Sequence, residues 1–530
     1  MSRNLVACCD GTWSTPDHED YGVIAPTNVV RIYNAVSSTN DVTAQLKYYH
    51  PGVGTEKNLV DKLIGGGIGL GLDKHIMSAY KWLSDNYQTG DNIYLFGFSR
   101  GAYTARSLAG MIAHCGLLQL SPSFAESDKW RRVETAFKEG YQKRQQKINW
   151  AHDASASAKE DWQFHKSLSG TDVGVYFLGV WDTVGALGIP QDLAILSLLD
   201  NPKSYNFYDT NISHAIEHAR HAVAVDEIRA SFYPTLFNNA TNGGGANAHP
   251  DAIEKWFPGG HGDVGGGNAD KGLSDGALQW MINEAGVKGL LFDASITAQI
   301  SPNTKGMLHN AVSGAFGYMR TQPRATPYLS GSPLQIDASV NDRQNCPPIS
   351  QAPYRPDYLL NMAGSSKAVT IFASQHWNQT GVYLTAGEYI FTATGEWVDQ
   401  SMVFSPDGTL LADPEHSNLL HKVLNFYGKL ESLYKKVLNK PYADFKGTKR
   451  IEGCPWFGLV GVLANSRMTS AGGTPVPHEI IPIWQGCCAV QGFRFTVNAW
   501  HEGYLYCFAN DAWGYYENNK GGVELTITRC

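Results

Sequence analysis

The run Asn92-Ile93-Tyr94-Leu95-Phe96-Gly97-Phe98-Ser99-Arg100-Gly101-Ala102 joins a strand, a sharp turn and the start of a helix. Asn92 to Phe96 reads as a strong strand, and from Ala102 to Cys115 small and apolar residues follow in a helical pattern. Between the two, Gly97 to Gly101 fit GxSxG. That motif sets a serine on a strained strand-to-helix turn, and its glycines let backbone and helix approach without a Cβ clash. Ser99 is therefore the candidate nucleophile.

A serine hydroxyl needs a base to take its proton and an acid to orient that base, so both are sought downstream. Asp182, in Gly179-Val180-Trp181-Asp182-Thr183-Val184-Gly185, follows the strand Val173 to Leu178. It falls at a strand's carboxyl end, where sites of open α/β sheets collect. His261 stands in Trp256-Phe257-Pro258-Gly259-Gly260-His261-Gly262-Asp263-Val264-Gly265-Gly266-Gly267. So much glycine is costly in chain entropy, and active-site loops are where that cost is tolerated. Asp263 is the rival acid and His309 the rival base. An oxyanion hole is expected from the backbone N–H of Arg100 and one from the turn at Gly11 or Thr12.

Outward from the motif, Leu5 to Cys9 and Lys47 to Tyr49 read as further strands, with a helix capped by Thr27 or Asn28 between them. Strands alternating with helices to about residue 330 predict a mostly parallel sheet with flanking helices. The polar, charged segment 121–170 interrupts it as a candidate cap over the site. Residues 346–357 hold four prolines and read as a linker. Beyond it strands dominate, giving a β-sandwich or barrel with a helical insertion at 413–449. The expected division is 1–345 for the catalytic domain, 346–357 for the linker and 358–530 for the β-rich domain.

His214-Ala215-Ile216-Glu217-His218 also satisfies H-x-x-E-H, the inverted zinc-protease pattern, and His221 extends the same helical face. The reading favoured here is a charged, partly exposed helix before a strand over Ala222 to Val225, because the serine constellation already accounts for the chemistry.

Composition bounds the partners. A formal charge of −7 with no long basic run speaks against nucleic acid. No apolar stretch reaches 18 residues, so no membrane-spanning helix is expected. The opening MSRNLVACCDGTW does not read as a signal peptide, so synthesis in the cytoplasm without a cleaved leader is expected. Five of the nine cysteines lie from Cys454 onward, which allows a disulfide there if the protein reaches an oxidising compartment.

CDGTW at 9–13, PTNVVRIYNAV at 26–36, FGFSRGAYTAR at 96–106, GVWDTVGALG at 179–188 and WFPGGHGDVGGG at 256–267 resemble, in order, one bacterial and fungal α/β-hydrolase family. That family includes lipase effectors of the type VI secretion system. The resemblance implies an α/β-hydrolase-like fold, a triad of Ser99, Asp182 and His261, and no catalytic cofactor. It also implies phospholipase activity of A1 or A2 type on membrane glycerophospholipids. Delivery into the periplasm of rival cells, secretion-system components and a cognate immunity protein follow from the same resemblance.

The segment Asn510-Asp511-Ala512-Trp513-Gly514-Tyr515-Tyr516-Glu517-Asn518-Asn519 resembles calcium-dependent galactose-binding bacterial lectins. The resemblance implies calcium held by Asp511, the Tyr515 carbonyl, Asn518 and Asn519, with a further carbonyl from a turn near Asp399. A plain asparagine- and glycine-rich hairpin is the alternative. Trp513 and Trp500 are candidates to stack on a sugar face of a glycan or lipopolysaccharide, with aromatic core packing as the commoner alternative. A carbohydrate esterase, or a sugar-binding adhesin or toxin on an inactive hydrolase scaffold, are the other readings.

Overall fold

Runs of apolar and β-branched residues in the first part of the chain become the strands of one parallel sheet. The computed structural model describes residues 2–11, 15–37, 44–52, 68–143, 162–185, 211–241, 248–312, 320–412, 448–467 and 476–530. Among these the chain divides into two compact units. The first holds the residues up to Arg324 together with Gly331–Ala352, and the second holds Ala325–Ser330, Pro353–Arg467 and Val476–Cys530. The division thus falls at Ala352, inside the proline-rich segment 346–357.

In the first unit the strands are β1 (Asn4–Cys9), β2 (Gln45–His50), β3 (Asn92–Phe98), β4 (Val175–Trp181), β5 (Ile216–Ala224) and β6 (Ala252–Phe257). They lie in the order β2-β1-β3-β4-β5-β6, every neighbour parallel. Both faces are covered. Leu5, Ala7, Ile93 and Leu95 join Ile76, Tyr80 and Leu83 of α2 (Ile68–Asn86) and Leu108 and Ile112 of α3 (Arg100–Cys115). The alternate residues Val6, Cys8, Tyr94 and Phe96 pack with Val29 and Ile32 of α1 (Asn28–Ala35) and Leu278 and Met281 of a helix over Gly272–Val287. Each fully buried side chain of this size contributes about 1.5–3 kcal/mol. Thr27 caps α1, its Oγ1 accepting from the Val30 amide at 3.3 Å.

Because the chain steps from β1 out to β2 and then back to β3, the order reverses between β1 and β3. A crevice opens there at the carboxyl ends of the strands, the usual place for a ligand in such a sheet. Ser99 and Asp10 both sit at it, one after β3 and one after β1.

Two expectations change. His218 and His221 belong to strand β5, not to a helix, and His214 precedes that strand, so the i, i+4 pair His214 and His218 shares no helical face. His218 Nδ1 meets Asp251 at 2.6 Å and His221 Nδ1 meets Glu254 at 3.0 Å, and among the described residues no group of three or more histidine, cysteine, aspartate or glutamate side chains is placed to hold a metal. The described part of segment 121–170 is a helix over Glu126–Thr135 and a π-turn whose Val133, Phe137 and Tyr141 join the core beside α2 and α3. Residues 144–161 of that segment lie outside the described residues.

The second unit packs two sheets. One runs β7 (Ser366–Phe372), β16 (Asn519–Arg529), β9 (Gly387–Asp399), β10 (Met402–Phe404) and β11 (Leu410–Ala412), with β14 (Phe493–Val497) also on β9. The other runs β13 (Glu479–Ile481), β12 (Leu459–Ala464), β15 (Gly503–Ala509) and β8 (Asn378–Leu384), with Tyr358–Leu359 added in parallel. Phe391, Trp397, Leu525 and Ile527 from one sheet share a core with Leu463, Leu505 and Ile481 from the other, which makes a sandwich. Most of the expected insertion, 413–447, lies outside the described residues. All nine cysteines are free.

Candidate active site

Ser99 caps the start of α3 with φ 56° and ψ −124°, a conformation that costs a non-glycine residue about 1–3 kcal/mol. Two contacts enforce the turn. A Cβ on Gly101 would stand 2.1 Å from the Cys9 carbonyl oxygen, so only glycine lets α3 start this close to β1. The Ser99 amide donates to the Trp181 carbonyl at 3.1 Å, tying the turn to the end of β4. Asp182 is the next residue, fully buried and itself at φ 36°.

His261 opens a short helix over His261–Gly265, and its Nδ1 lies 2.6 Å from Asp182 Oδ2. An ionised carboxylate only accepts, so Nδ1 carries the hydrogen and Nε2 is the basic nitrogen. The imidazole is walled by Phe98, centroid to centroid 4.6 Å, and by the edge of Phe232 at 5.0 Å. Gly265 makes this possible, since a Cβ there would come within 1.9 Å of the Phe98 ring.

Asp182 is held from two further sides. Arg324 grips it with both terminal nitrogens, Nη1 to Oδ1 at 2.6 Å and Nη2 to Oδ2 at 2.9 Å. The Ala224 amide donates to Oδ1 at 3.0 Å. Burial opposes ionisation of this carboxyl, yet the Arg324 charge and the His261 hydrogen bond hold it well below the usual carboxylate range. Burial pushes the His261 imidazole below its ordinary value, against the pull of Asp182. Both groups thus favour the states a triad needs, an anionic acid and a neutral base.

Residues 3–284 match the family described as type VI secretion system phospholipase effector, Tle1-like, catalytic domain. The chain belongs to that family. A curated relative, the uncharacterized protein YEL023C of Saccharomyces cerevisiae, is 32% identical over 253 residues, 44% of this chain. The chain spans 33% of that relative's length. Among solved structures, an uncharacterized protein from Pseudomonas aeruginosa is 20% identical, with TM-score 0.35, over 57% of this chain and 49% of its own. A Tle1 effector bound to the VgrG spike is 17% identical, with TM-score 0.31, over 51% and 52%. A PllA-like lectin, the EclA N-terminal domain, is 18% identical, with TM-score 0.17, over 31% of this chain and 95% of its own.

Within this Tle1-like domain the two rivals pair with each other. His309 Nδ1 lies 2.5 Å from Asp263 Oδ1, and Asp263 also accepts the Gly260 and His309 amides at 3.0 and 3.2 Å. They brace the loop that carries His261. The oxyanion expectation changes at Gly11, whose amide donates to Asp10 Oδ1 at 2.7 Å and is committed there. Burial pushes the Asp10 carboxyl up to about 6, against donors from Tyr49, Thr27 and Gly11. Thr12 lies outside the described residues, and Arg100 is placed as the first residue of α3.

Sequence reasoning missed Arg324, Glu227 and Arg229. Glu227 is buried, receives the His261 amide at 3.2 Å, and is forked by Arg229 Nε at 2.9 Å and Nη2 at 2.7 Å. None stands in a motif, and only the fold brings Arg324 to an aspartate 142 residues away.

In the second unit the residues singled out for a cation come together. Asn519 Nδ2 donates to Asp511 Oδ2 at 2.8 Å, and Asn518 Nδ2 to Asp399 Oδ1 at 2.6 Å. Asn519 pairs with Asp399 across β9 and β16. Asn519 Oδ1 is buried with no hydrogen-bond partner among the described residues. The Tyr515 amide donates to Ala512 while its side chain stands exposed. Trp513, the candidate sugar-stacking residue, is half-buried. The Arg450 guanidinium lies 4.3 Å from its ring centroid, within a box that also includes Trp377 and Phe508. Trp500 is 96% exposed.

Proposed function

We propose that this chain is a serine ester hydrolase that cleaves an acyl ester of membrane glycerophospholipids. The observation that carries this is the buried Asp182–His261 pair, at 2.6 Å, with Asp182 following in the chain the Trp181 carbonyl that holds the strained turn of Ser99. His261 Nε2 takes the proton of Ser99 Oγ, and Ser99 attacks the ester carbonyl. The Arg100 amide, at the start of α3, stabilises the oxyanion. Protonated His261 passes its proton to the leaving alcohol, giving an acyl-Ser99, and the imidazole then activates water to release the fatty acid. Asp182 keeps the tautomer fixed and stabilises the imidazolium between these transfers. Membership of the Tle1-like effector family supports phospholipid as substrate and type VI delivery into a rival cell's periplasm. A producer of such an enzyme needs a neutralising immunity protein.

For the second unit we propose a calcium site that anchors a glycan. Two carboxylates and two asparagine amides, one of them with an orphaned buried oxygen, are a hard-oxygen donor set suited to this ion. Asp511, Asn518, Asn519 and the Tyr515 carbonyl would hold it, and it would offer open positions to sugar hydroxyls. Concentrating the enzyme near lipopolysaccharide raises its local concentration at the membrane.

The test is fatty-acid release from phosphatidylethanolamine and phosphatidylglycerol vesicles, beside acetate release from acetylated glycans, with and without calcium. Wild type should release fatty acid, and Ser99→Ala should lose it by at least about 10³-fold while folding normally. Acetate release with intact phospholipid would replace the lipid reading with the carbohydrate-esterase one.

A further inference from the structure

Charges around the imidazole are matched in pairs. Asp182 touches His261 Nδ1 and is gripped by Arg324, while Glu227 receives the His261 amide and is forked by Arg229. The remaining charged groups nearby are committed to the loop: Asp226 accepts the Gly259 amide at 2.7 Å, and Asp263 holds His309. Arg324 is itself buried, and beyond the carboxylate it reaches two main-chain carbonyls. Its Nη1 donates to Ala224 at 2.8 Å and its Nη2 to Phe232 at 2.7 Å. One guanidinium therefore fixes the acid, the end of β5 and the residue whose ring edge walls the imidazole.

From this geometry we infer that Arg324 is a positioning residue of the hydrolytic site, aiming Asp182 and cancelling its charge so that His261 stays an unprotonated base in mildly acidic conditions. The residue lies beyond 3–284, the span matched by the catalytic family, so family membership does not supply it. The physical reason is direct. An acid with no counter-charge stabilises imidazolium and raises the histidine's proton affinity. A guanidinium does not deprotonate in proteins, and here it is bonded to both carboxylate oxygens, so that pull is offset. Asp182 accepts four donors, about its full lone-pair capacity, and its orientation is correspondingly fixed.

This inference rests on the serine-hydrolase reading, and the test separates the two. The measurements are the pH profile of kcat/KM toward p-nitrophenyl butyrate and the His261 Hε1 titration by NMR. Both are made for wild type, Arg324→Met and Arg324→Lys. In Arg324→Met the acid limb and the titration should both move up by about one pH unit. Arg324→Lys keeps the charge and should hold the limb near wild type, while kcat drops about tenfold because one ammonium cannot keep the fork. Lower rates with an unmoved limb in Arg324→Met, or a limb in Arg324→Lys displaced as in Arg324→Met, would overturn the inference. If Arg324→Met does not fold, Arg324→Gln is measured in its place: the same upward move of limb and titration supports the inference, and an unmoved limb refutes it. Wild type that leaves the ester intact would sink the hydrolase reading, and the NMR titration would still judge Arg324.

Discussion

At the scale of single residues, the site is a matter of which protons sit where. Burial and matched charges leave His261 neutral and Asp182 anionic. Because its folded-state affinity for a proton is lowered, His261 resists protonation in the native state more than in the unfolded chain. Its contribution therefore destabilises the fold as pH falls from about 6.5 toward the depressed native value. Hydrolysis should persist below pH 6.5, which a pH–rate profile checks. His309 behaves oppositely. Its hydrogen bond to Asp263 raises its proton affinity, so the stability it adds is present below about 6.5 and is lost as pH rises through the raised native value. Removing it as His309→Gln should lower the urea midpoint more at pH 5.5 than at pH 9. Equal losses at both would mean the pair acts by shape alone.

At the scale of elements, the elbow stands on close approaches that a single methyl group would break. Gly101→Ala puts a Cβ against the Cys9 and Asp10 carbonyls and should cost about 1–3 kcal/mol in chemical unfolding, with a larger loss of activity because Ser99 moves. A Gly276→Ala control, inside a helix and with nothing within 4 Å, should leave activity unchanged and raise stability by up to about 1 kcal/mol. This elbow was legible in the chain because strand, turn and helix are local and the turn chemistry is written in its glycines. The segment Ile216–His221 was not, although Ala222 to Ala224 after it read as a strand. Alanine, glutamate, and His214 and His218 at i and i+4 read as a helix, but the segment is paired on both sides, by β4 and β6. A central parallel strand buried on both faces shows no two-residue alternation, so tertiary pairing overrode local preference. Arg324 was illegible for another reason. Nothing near Gln322-Pro323-Arg324-Ala325 signals a buried guanidinium, and its partner is distant in sequence.

At the scale of the whole molecule, a Tle1-like hydrolase unit and a β-sandwich unit share one chain. Asp511 is bonded to Asn519, and Asp399 meets Asn518 and pairs with Asn519 where β9 runs beside β16. Sequence does not reveal that Arg450 stands against Trp513 in an aromatic box. Calcium at 100 times its dissociation constant should stabilise the second unit by about 2.7 kcal/mol, raising its melting transition in the full chain. Asp511→Ala should abolish that rise and leave p-nitrophenyl butyrate turnover unchanged. A shift that survives Asp511→Ala would place the ion elsewhere. Most directly, the full chain can be treated with a fluorophosphonate and the adduct located by peptide mass mapping. The expected result is one adduct, on Ser99, formed by wild type and lost in His261→Ala. Labelling at another residue, or on Ser99 at an undiminished rate without His261, would contradict the account.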